Sequence, residues 1–520
     1  MLSYLLMFPH FNHEKIDFFT KKCSLLTDAE IKASSYLFSN NYGTYSNSKD
    51  NPNESKRNAQ IIFGVHYYEN LRNRNDAYVA FAICDDNIVG QAFYVVENTN
   101  EGKLTWVIQL VVNKKYRRHG IAKKLLFSIW GFSNDCAWGL ATTNPLTIKT
   151  LETATMREVS LETMRKNIDK IKRIAQKVSF IKVDDIQIDK EKSIVFSNFY
   201  VAHDDIPVFI KKYGNKNWKF GFELKEGYEW LAFTFKSQDI KSISKKDLDK
   251  LFEHSEKCLI DAYSRMKMPE QNWTKHTANE IDFIEKYIPS KETKIIDIGC
   301  GIGRHSLELL NRGYTNIVAY DFSERNINFA KASIPDDKNI FFKQDVRFLK
   351  GTKADFAICL YDVIGSFPKE SENLRIIKPL HKNLIKNGKA VISVMNMELT
   401  KNIAKEKNVY DVYENPKRLF KLKASSTMQS TGDIFNPEYF VIYTQTNLVF
   451  RKEMFTDDGY LDSEYIIRDK RYTLEEISNK LSKCGFKILV SRFVQAGHWE
   501  VPLKNTDLKA KEILLVVQKV

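Results

Sequence analysis

The sequence predicts an α/β chain of several domains, ending in a doubly wound, largely parallel sheet. Two observations carry this. First, Lys294-Ile-Ile-Asp297-Ile-Gly299-Cys300-Gly301-Ile-Gly303-Arg304-His305 reads as a buried strand, a glycine-rich turn and the approach to a helix over 306–312, stopped by Gly313. Glycines at alternate positions let backbone N–H groups come close to a ligand, and the helix N-terminus beyond adds a partial positive charge. Second, the apolar run 317–320 ends at Asp321, and a further run, 340–342, leads to Gln344-Asp345-Val346. A carboxylate ending the second strand of such a unit accepts hydrogen bonds from ribose hydroxyls, and Asp345 can accept from an adenine amino group. The pattern is a nucleoside pocket.

Composition bounds the rest. At 520 residues, the chain has room for two to four domains at roughly 100–200 residues each. Hydrophobic and aromatic contents of 43% and 12% suit packed cores. The seven cysteines (Cys23, Cys84, Cys136, Cys258, Cys300, Cys359 and Cys484) are scattered, with no C-x-x-C pair, so neither a disulfide framework nor a zinc site is expected. No metal is predicted, and a reducing, cytoplasmic setting is. The apolar start, residues 1–9, is too short to cross a bilayer and carries no basic leader, and no run of twenty apolar residues follows. The net charge of +14 permits an acidic partner such as RNA or DNA. Its lysines are spread among asparagines and isoleucines rather than gathered in blocks, so nucleic acid is not favoured.

From the N-terminus, Thr27-Asp28-Ala29-Glu30 caps a helix over 31–38, and the polar stretch 39–58 is a loop. Strands over 78–84 and 88–96 join at Asp85-Asp86-Asn87, and a third covers 104–112. That strand runs into Asn113-Lys-Lys-Tyr-Arg117-Arg118-His119-Gly120-Ile121-Ala122 and an amphipathic helix over 123–130. Small residues at 120 and 122 leave N–H groups bare for a pyrophosphate, beside two arginines. A short strand over 138–142 and a helix opened by Asn144-Pro145 follow.

Strand, Arg-x-x-Gly-x-Ala turn and helix together resemble the GNAT acyltransferases over about 25–156. The resemblance implies acetyl-CoA, with its pyrophosphate at Arg117, Arg118, Gly120 and Ala122, its pantetheine arm along a splayed strand ending at Val112, and Asn144 facing the cofactor. The tyrosine that family members often carry on the next helix is missing from 146–154. Glu152 could replace it as acid or base or serve as a solvent-facing helix residue. The half therefore either acetylates or only positions a substrate.

Residues 157–255 carry no chemical motif and are expected to form a β-rich connecting domain. A basic amphipathic helix covers 162–178, and strands cover 195–201, 218–224 and 229–235 around turns at Asp204-Asp205 and Gly214-Asn215. Their alternating aromatics read as the core of a small sheet. A charged helical link over 242–249 leads to the last domain, so the expected boundaries are 1–156, 157–255 and 256–520.

In that last domain, helices over 258–268 and 273–288 precede the glycine turn. After Asp345 comes a strand and loop, Ala354-Asp-Phe-Ala-Ile-Cys359-Leu360-Tyr361-Asp362-Val363-Ile364-Gly365-Ser366-Phe367, at the end of the sheet where open α/β folds place their chemistry. A fifth strand covers 389–396, an insert with strands over 439–450 and 465–468 could roof a substrate, and Thr473 with Glu476 forms a capping box. Terminal strands cover 486–490 and 513–517, with a turn at 495–500 that contains His498.

From Tyr263 to the end the chain resembles the class I S-adenosylmethionine-dependent methyltransferases. The resemblance implies that Asp297, Gly299, Cys300, Gly301 and Gly303 surround the methionine part, Asp321 and Phe322 the ribose side, and Asp345, Val346 and Leu360 the adenine side. Tyr361 and Asp362 are the candidate catalytic pair. The loop has neither the Asn/Asp-Pro-Pro-Tyr form of enzymes that alkylate base amino groups nor a Pro-Cys nucleophile, and it resembles that of enzymes acting on small molecules. If the acceptor is an amine, Asp362, groups beside Asp345, or Glu500 could take its proton. The expected whole is a fusion of an N-acetyltransferase and a methyltransferase acting on a small molecule by N- or O-methyl transfer. The alternatives are modification of RNA or DNA, and a non-catalytic acetyl-CoA-binding module ahead of a methyltransferase.

Overall fold

The computed structural model describes residues 16–203, 206–209, 211, 220, 223–241, 243–265, 275–335, 340–424, 434–455 and 463–520. The chain divides into two compact units, residues 1–258 with 458–463, and 259–457 with 464–520.

The first unit contains β1 (Ile16–Lys22), α1 (Asp28–Asn41), α2 (Val65–Arg72), β2 (Ala77–Cys84), β3 (Asn87–Thr99), β4 (Gly102–Val112), α3 (Ile121–Trp130), β5 (Ala137–Thr142) and α4 (Pro145–Thr155). It continues through α5 (Leu161–Lys166), α6 (Ile168–Ala175), β6 (Ile186–Ile188), β7 (Ser193–Phe199), α7 (Ile206–Phe209), β8 (Gly227–Phe235) and the start of α8 (Lys245–Arg265). Local signals explain the early elements. Thr27 and Glu30 form a reciprocal capping box at α1. Asp85 and Asp86 both take positive φ, 46° and 63°, which is what a two-residue hairpin between right-twisted strands requires. The helix expected over 162–178 is broken at Asn167, whose φ of −115° leaves the helical region and whose side chain donates to the Thr163 carbonyl.

All eight strands form one sheet, in the order β1-β2-β3-β4-β5-β8-β7-β6. Only β4 and β5 run parallel. This corrects the expected connecting domain: the strands of 157–255 do not make a sheet of their own but extend the N-terminal one along the edge of β5. Gly139 on β5 makes the junction close, because a Cβ there would lie 2.3 Å from the Phe233 ring of β8. The strand expected over 218–224, apart from residues 220, 223 and 224, lies outside the described residues. So do both of its flanking turns, residues 1–9, 266–268 and Trp273.

The second unit contains α9 (Thr277–Glu285), β9 (Ile295–Ile298), α10 (Arg304–Asn311), β10 (Ile317–Asp321), α11 (Glu324–Lys331), β11 (Phe341–Lys343), β12 (Ala354–Cys359), α12 (Glu370–Asn383) and β13 (Leu384–Met395). The insert supplies α13 (Met397–Glu406), α14 (Lys417–Lys421), β14 (Phe440–Tyr443), β15 (Leu448–Phe455) and β16 (Ser463–Lys470). The chain closes with α15 (Leu474–Lys483), β17 (Phe486–Gln495), β18 (His498–Leu503) and β19 (Glu512–Lys519).

The main sheet has the order β11-β10-β9-β12-β13-β19-β17-β18, parallel from β11 to β13 and antiparallel beyond. Apolar side chains of its strands alternate into two buried clusters, one on each face, as a doubly covered sheet demands. The first strand in sequence, β9, lies between β10 and β12. Strand order therefore reverses there, and the crevice beyond β9 and β12 is where such sheets bind ligands. The insert strands form a separate sheet, β14-β15-β16. Among the described residues, no helix is long and apolar enough to cross a membrane.

Candidate active sites

The turn after β9 is tied to β10 by its own amides. Gly299 and Cys300 N–H both donate to the Tyr320 carbonyl at 2.9 Å, and Gly301 N–H donates to Asp321 Oδ2 at 2.9 Å. The three glycines have φ of 75°, 55° and 78°, but they differ in what surrounds them. A Cβ on Gly299 would meet Val363 at 2.5 Å, and one on Gly303 would meet the Phe341 ring at 2.5 Å. At Gly301 nothing lies within 4 Å. Gly299 and Gly303 are packing positions, and Gly301 is the open face of the turn.

Asp321 is 7% exposed. Its second oxygen accepts from Ser323 N–H at 2.8 Å. Burial raises its pKa, opposed by these backbone donors. The Asn326 side chain and the Phe322 N–H also oppose that rise, so the chain's own donors share its acceptor positions. Asp297 accepts from the Ser306 hydroxyl at 2.7 Å, which fixes the start of α10, and burial pushes its carboxyl up to about 7. Phe322 follows Asp321 with 52% of its surface exposed, an apolar face beside the crevice. Cys300 and Leu360 are buried, and burial pushes the Cys300 thiol well up.

Asp345, expected on the adenine side, is engaged within the chain. Arg347 grips it with a fork, Nη2 to Oδ2 at 2.6 Å and Nε to Oδ1 at 3.0 Å, and the Arg347 N–H adds a third bond. Burial raises its pKa, but the Arg347 bonds outweigh this and hold the carboxyl below its usual range. The arginine also pairs with Glu372 and lies 4.4 Å from the centre of the Phe367 ring. An adenine amino group would have to compete with that fork. Val346 opens the short helical turn just beyond it.

Tyr361 is a brace. It takes a left-handed φ of 61°, a strained choice for a non-glycine residue. Its N–H donates to the Ser393 hydroxyl and its phenol to Glu280 on α9, so this hydroxyl is already committed. Glu280, fully buried, also accepts from Arg304 at 2.6 Å and His305 at 2.7 Å. Burial alone would raise its pKa, but the His305 and Arg304 contacts outweigh it and hold the carboxyl below its usual range. Burial and Arg304 press His305 down to about 4, so the ring is neutral and donates Nε2–H. We expect Glu280→Gln to cost about 3 kcal/mol in urea unfolding at pH 7, since it removes the buried carboxylate that pairs with Arg304 and accepts from His305 and Tyr361. The gap to wild type should narrow as the pH falls through the carboxylate range and Glu280 itself becomes protonated.

The loop carrying Asp362 is clamped on both sides. Val363 packs against Gly299. Lys470 N–H at the end of β16 donates to Gly365 O at 2.7 Å, and Gly365 has no room for a Cβ, which would lie 2.4 Å from Lys470 O. Asp362 thus stands between the glycine turn and the insert sheet. Burial raises its pKa, with Arg451 opposing and Asp469 reinforcing. Glu500 is spent on a surface pair with Lys286 at 2.6 Å, and the exposed His498 packs near His276.

In the first unit, a cleft of about 1480 Å³ collects the residues read as an acetyl-CoA site: Val112, Arg117, Arg118, Gly120, Ala122 and Asn144 all line it. Pairing of β4 with β5 stops at Val107 and Leu140, so residues 108–112 diverge and open the sheet. Gly120 caps α3 in the left-handed conformation, φ 76°, and a Cβ there would meet nothing within 4 Å. Arg118 is also left-handed, φ 66°. Arg117 turns back, donating to Val112 O at 3.1 Å and to Asn41 O, and braces the turn rather than offering a free cation. Asn144 accepts from Leu146 N–H at 2.9 Å as the cap of α4.

Glu152 is buried, not solvent-facing as expected, and accepts from Val159 N–H at 2.9 Å and Lys149 at 3.1 Å. Two acids line the cleft, Asp185 and Glu229 on β8, and Glu229 is the buried one, 5% exposed. Burial pushes it up to about 7, with the Ser197 hydroxyl opposing. Tyr42 and Tyr67 line the same cleft. Burial raises both phenols, and Glu229 adds to the effect on Tyr42. Sequence reading missed Glu229 because its strand had been placed in another domain.

Residues 273–489 match the family model described as a methyltransferase domain, and residues 45–136 match the acetyltransferase (GNAT) family. The chain carries a GNAT domain ahead of a methyltransferase domain. No curated protein matches it. Among solved structures, an S-adenosylmethionine-dependent methyltransferase from Clostridium acetobutylicum shares 13% identity, covering 48% of this chain and 93% of that one, with a TM-score of 0.34. A second from Methanosarcina mazei shares 20% identity over 46% and 97%, TM-score 0.32. The CcbJ methyltransferase from Streptomyces caelestis shares 11% over 47% and 89%, TM-score 0.34.

Proposed function

We propose that the second unit methylates a small molecule with S-adenosylmethionine and that the first acetylates one with acetyl-CoA. The observation that carries the first part is the open, left-handed Gly301, whose N–H meets the buried Asp321 at the end of β10. A sulfonium supplies an electrophilic methyl group, so the protein need only hold donor and acceptor in line. Asp321 takes the ribose hydroxyls, the turn amides and the start of α10 face the methionine part, and Phe322 borders the base. Asp362 faces the incoming acceptor.

For acetyl transfer, α3 and the divergent end of β4 hold the cofactor, whose thioester supplies the acyl group. Glu229 receives the amine proton, and a cleft tyrosine, Tyr42 or Tyr67, can return one to the leaving thiolate. A small acceptor is favoured over nucleic acid because the Tyr361–Phe367 loop lacks the motifs of base-modifying enzymes and is clamped by the insert.

Calorimetric titration of the full-length protein tests both parts. S-adenosylhomocysteine and acetyl-CoA should each bind at one site per chain without competing. Gly120→Asp should weaken acetyl-CoA at least tenfold and leave S-adenosylhomocysteine unchanged. Binding of neither nucleotide would end this reading, and tight, steeply salt-dependent binding of RNA or DNA would favour the nucleic-acid alternative.

A further inference from the structure

The insert sheet carries a buried ionic cluster that the cofactor site does not use. Arg451 and Glu453 of β15, with Asp469 of β16 and the adjoining Arg471, alternate onto a shared face, and all four are at most 3% exposed. Asp469 holds both guanidiniums, Arg451 Nε at 2.8 Å and Arg471 Nε at 3.1 Å. Arg471 also donates to the Thr400 hydroxyl at 2.9 Å and Ile434 O at 3.0 Å. Glu453 receives Arg451 on Oε1. Its Oε2 is buried with no hydrogen-bond partner among the described residues. Asp362 lies on the loop that Lys470, the residue between Asp469 and Arg471, holds through Gly365 O at 2.7 Å, and its carboxyl senses the charges of Arg451, Asp469 and Arg471.

The group therefore counts three carboxyls against two guanidiniums, and both guanidiniums are anchored by Asp469. Acceptor capacity is left on Glu453 Oε2 and on Asp362. A buried acceptor without a donor is destabilising, and a ligand bringing N–H groups and positive charge removes that cost. A carboxylate ligand would add a fourth negative group, and an alcohol would supply one donor and no charge.

We propose that this cluster is the methyl-acceptor site and that the acceptor is a small amine, held through its N–H groups by Glu453 and Asp362. The inference rests on the methyl-transfer reading above. The Glu453 carboxylate first takes a proton from the bound ammonium. The freed lone pair forms the new C–N bond as the methyl–sulfur bond breaks, sulfur keeps that electron pair, and the product leaves as the methylated ammonium. The site suits that exchange. Burial pushes Glu453 up to about 7, Arg451 opposing and Asp469 and Asp362 reinforcing, so its proton moves readily near neutrality.

The test is ligand-observed NMR titration of full-length protein saturated with S-adenosylhomocysteine, using benzylamine, benzyl alcohol and benzoate as probes. Benzylamine should bind at least tenfold more tightly than either of the others. Glu453→Gln and Asp362→Asn should each reduce its affinity at least tenfold, with S-adenosylhomocysteine affinity held within twofold. If Glu453→Gln does not fold, Asp362→Asn, a change on a partly exposed loop, carries the comparison. Equal binding of amine and alcohol, preference for benzoate, or full benzylamine affinity in a folded variant would overturn the amine inference alone. Failure of the wild type to bind S-adenosylhomocysteine would instead overturn the methyltransferase reading beneath it.

Discussion

Gly301→Val is expected to abolish S-adenosylhomocysteine binding, by a hundredfold or more, in a protein that still folds. The left-handed backbone at 301, φ 55°, charges a side chain about 1–2 kcal/mol in strain, but no neighbouring atom lies within 4 Å to clash with it. On the proposed reading, the side chain takes space that the ligand needs. Gly303→Val makes the informative contrast. Its Cβ would lie 2.5 Å from the Phe341 ring and 3.1 Å from Ala330, both in the buried core of that sheet face. That variant should lose about 3 kcal/mol or more of stability through overpacking and strain together. Calorimetry and urea unfolding on the two variants separate ligand room from core packing. Gly301→Val retaining S-adenosylhomocysteine affinity within threefold would mean the turn is not the cofactor cradle.

What the sequence revealed follows from how local each signal is. The capping box at Thr473 and Glu476 forms as read, because its bonds span three residues. β9, β10 and β12 fall within a residue or two of their apolar runs, since a strand buried on both faces needs an unbroken run. Gly301 and Asp321 were legible for a related reason: a glycine turn and a carboxylate at strand ends are neighbours by topology.

The missed features depend on contacts between distant segments. The edge of β5 takes up β8, ninety residues on by register (Ala141 with Leu231), and no period-two pattern names its partner. The same ignorance hid Glu229 and Glu453, each an acid on an inward strand position whose surroundings come from elsewhere. Arg347 and Arg117 show a different limit. Each lies beside its predicted site in sequence, but backbone direction turns one onto Asp345 and the other onto Asn41 O and Val112 O. Proximity in the chain could not tell a ligand-facing charge from an internal one.

Glu229→Gln should lower the turnover of acetyl transfer by a factor of about 100–10,000, the usual worth of a positioned base, while acetyl-CoA affinity stays within twofold. As a base, Glu229 works deprotonated. Wild-type kcat/KM should therefore rise with pH and level off above about 7, and the variant should lose that step. A second measurement needs no substrate. Burial makes the carboxyl bind its proton more tightly in the folded chain than in the unfolded one. The stability this confers is complete below the unfolded value near 4.5 and is lost as pH rises to about 7. At 1.36 kcal/mol per pKa unit, that loss is about 3 kcal/mol. Glu229→Gln keeps shape and polarity without the charge, so it should match wild type near pH 5 and exceed it in urea unfolding at pH 8. A variant less stable than wild type at pH 8 would mean that Glu229 is a satisfied structural acid, and that the cleft finds its base elsewhere.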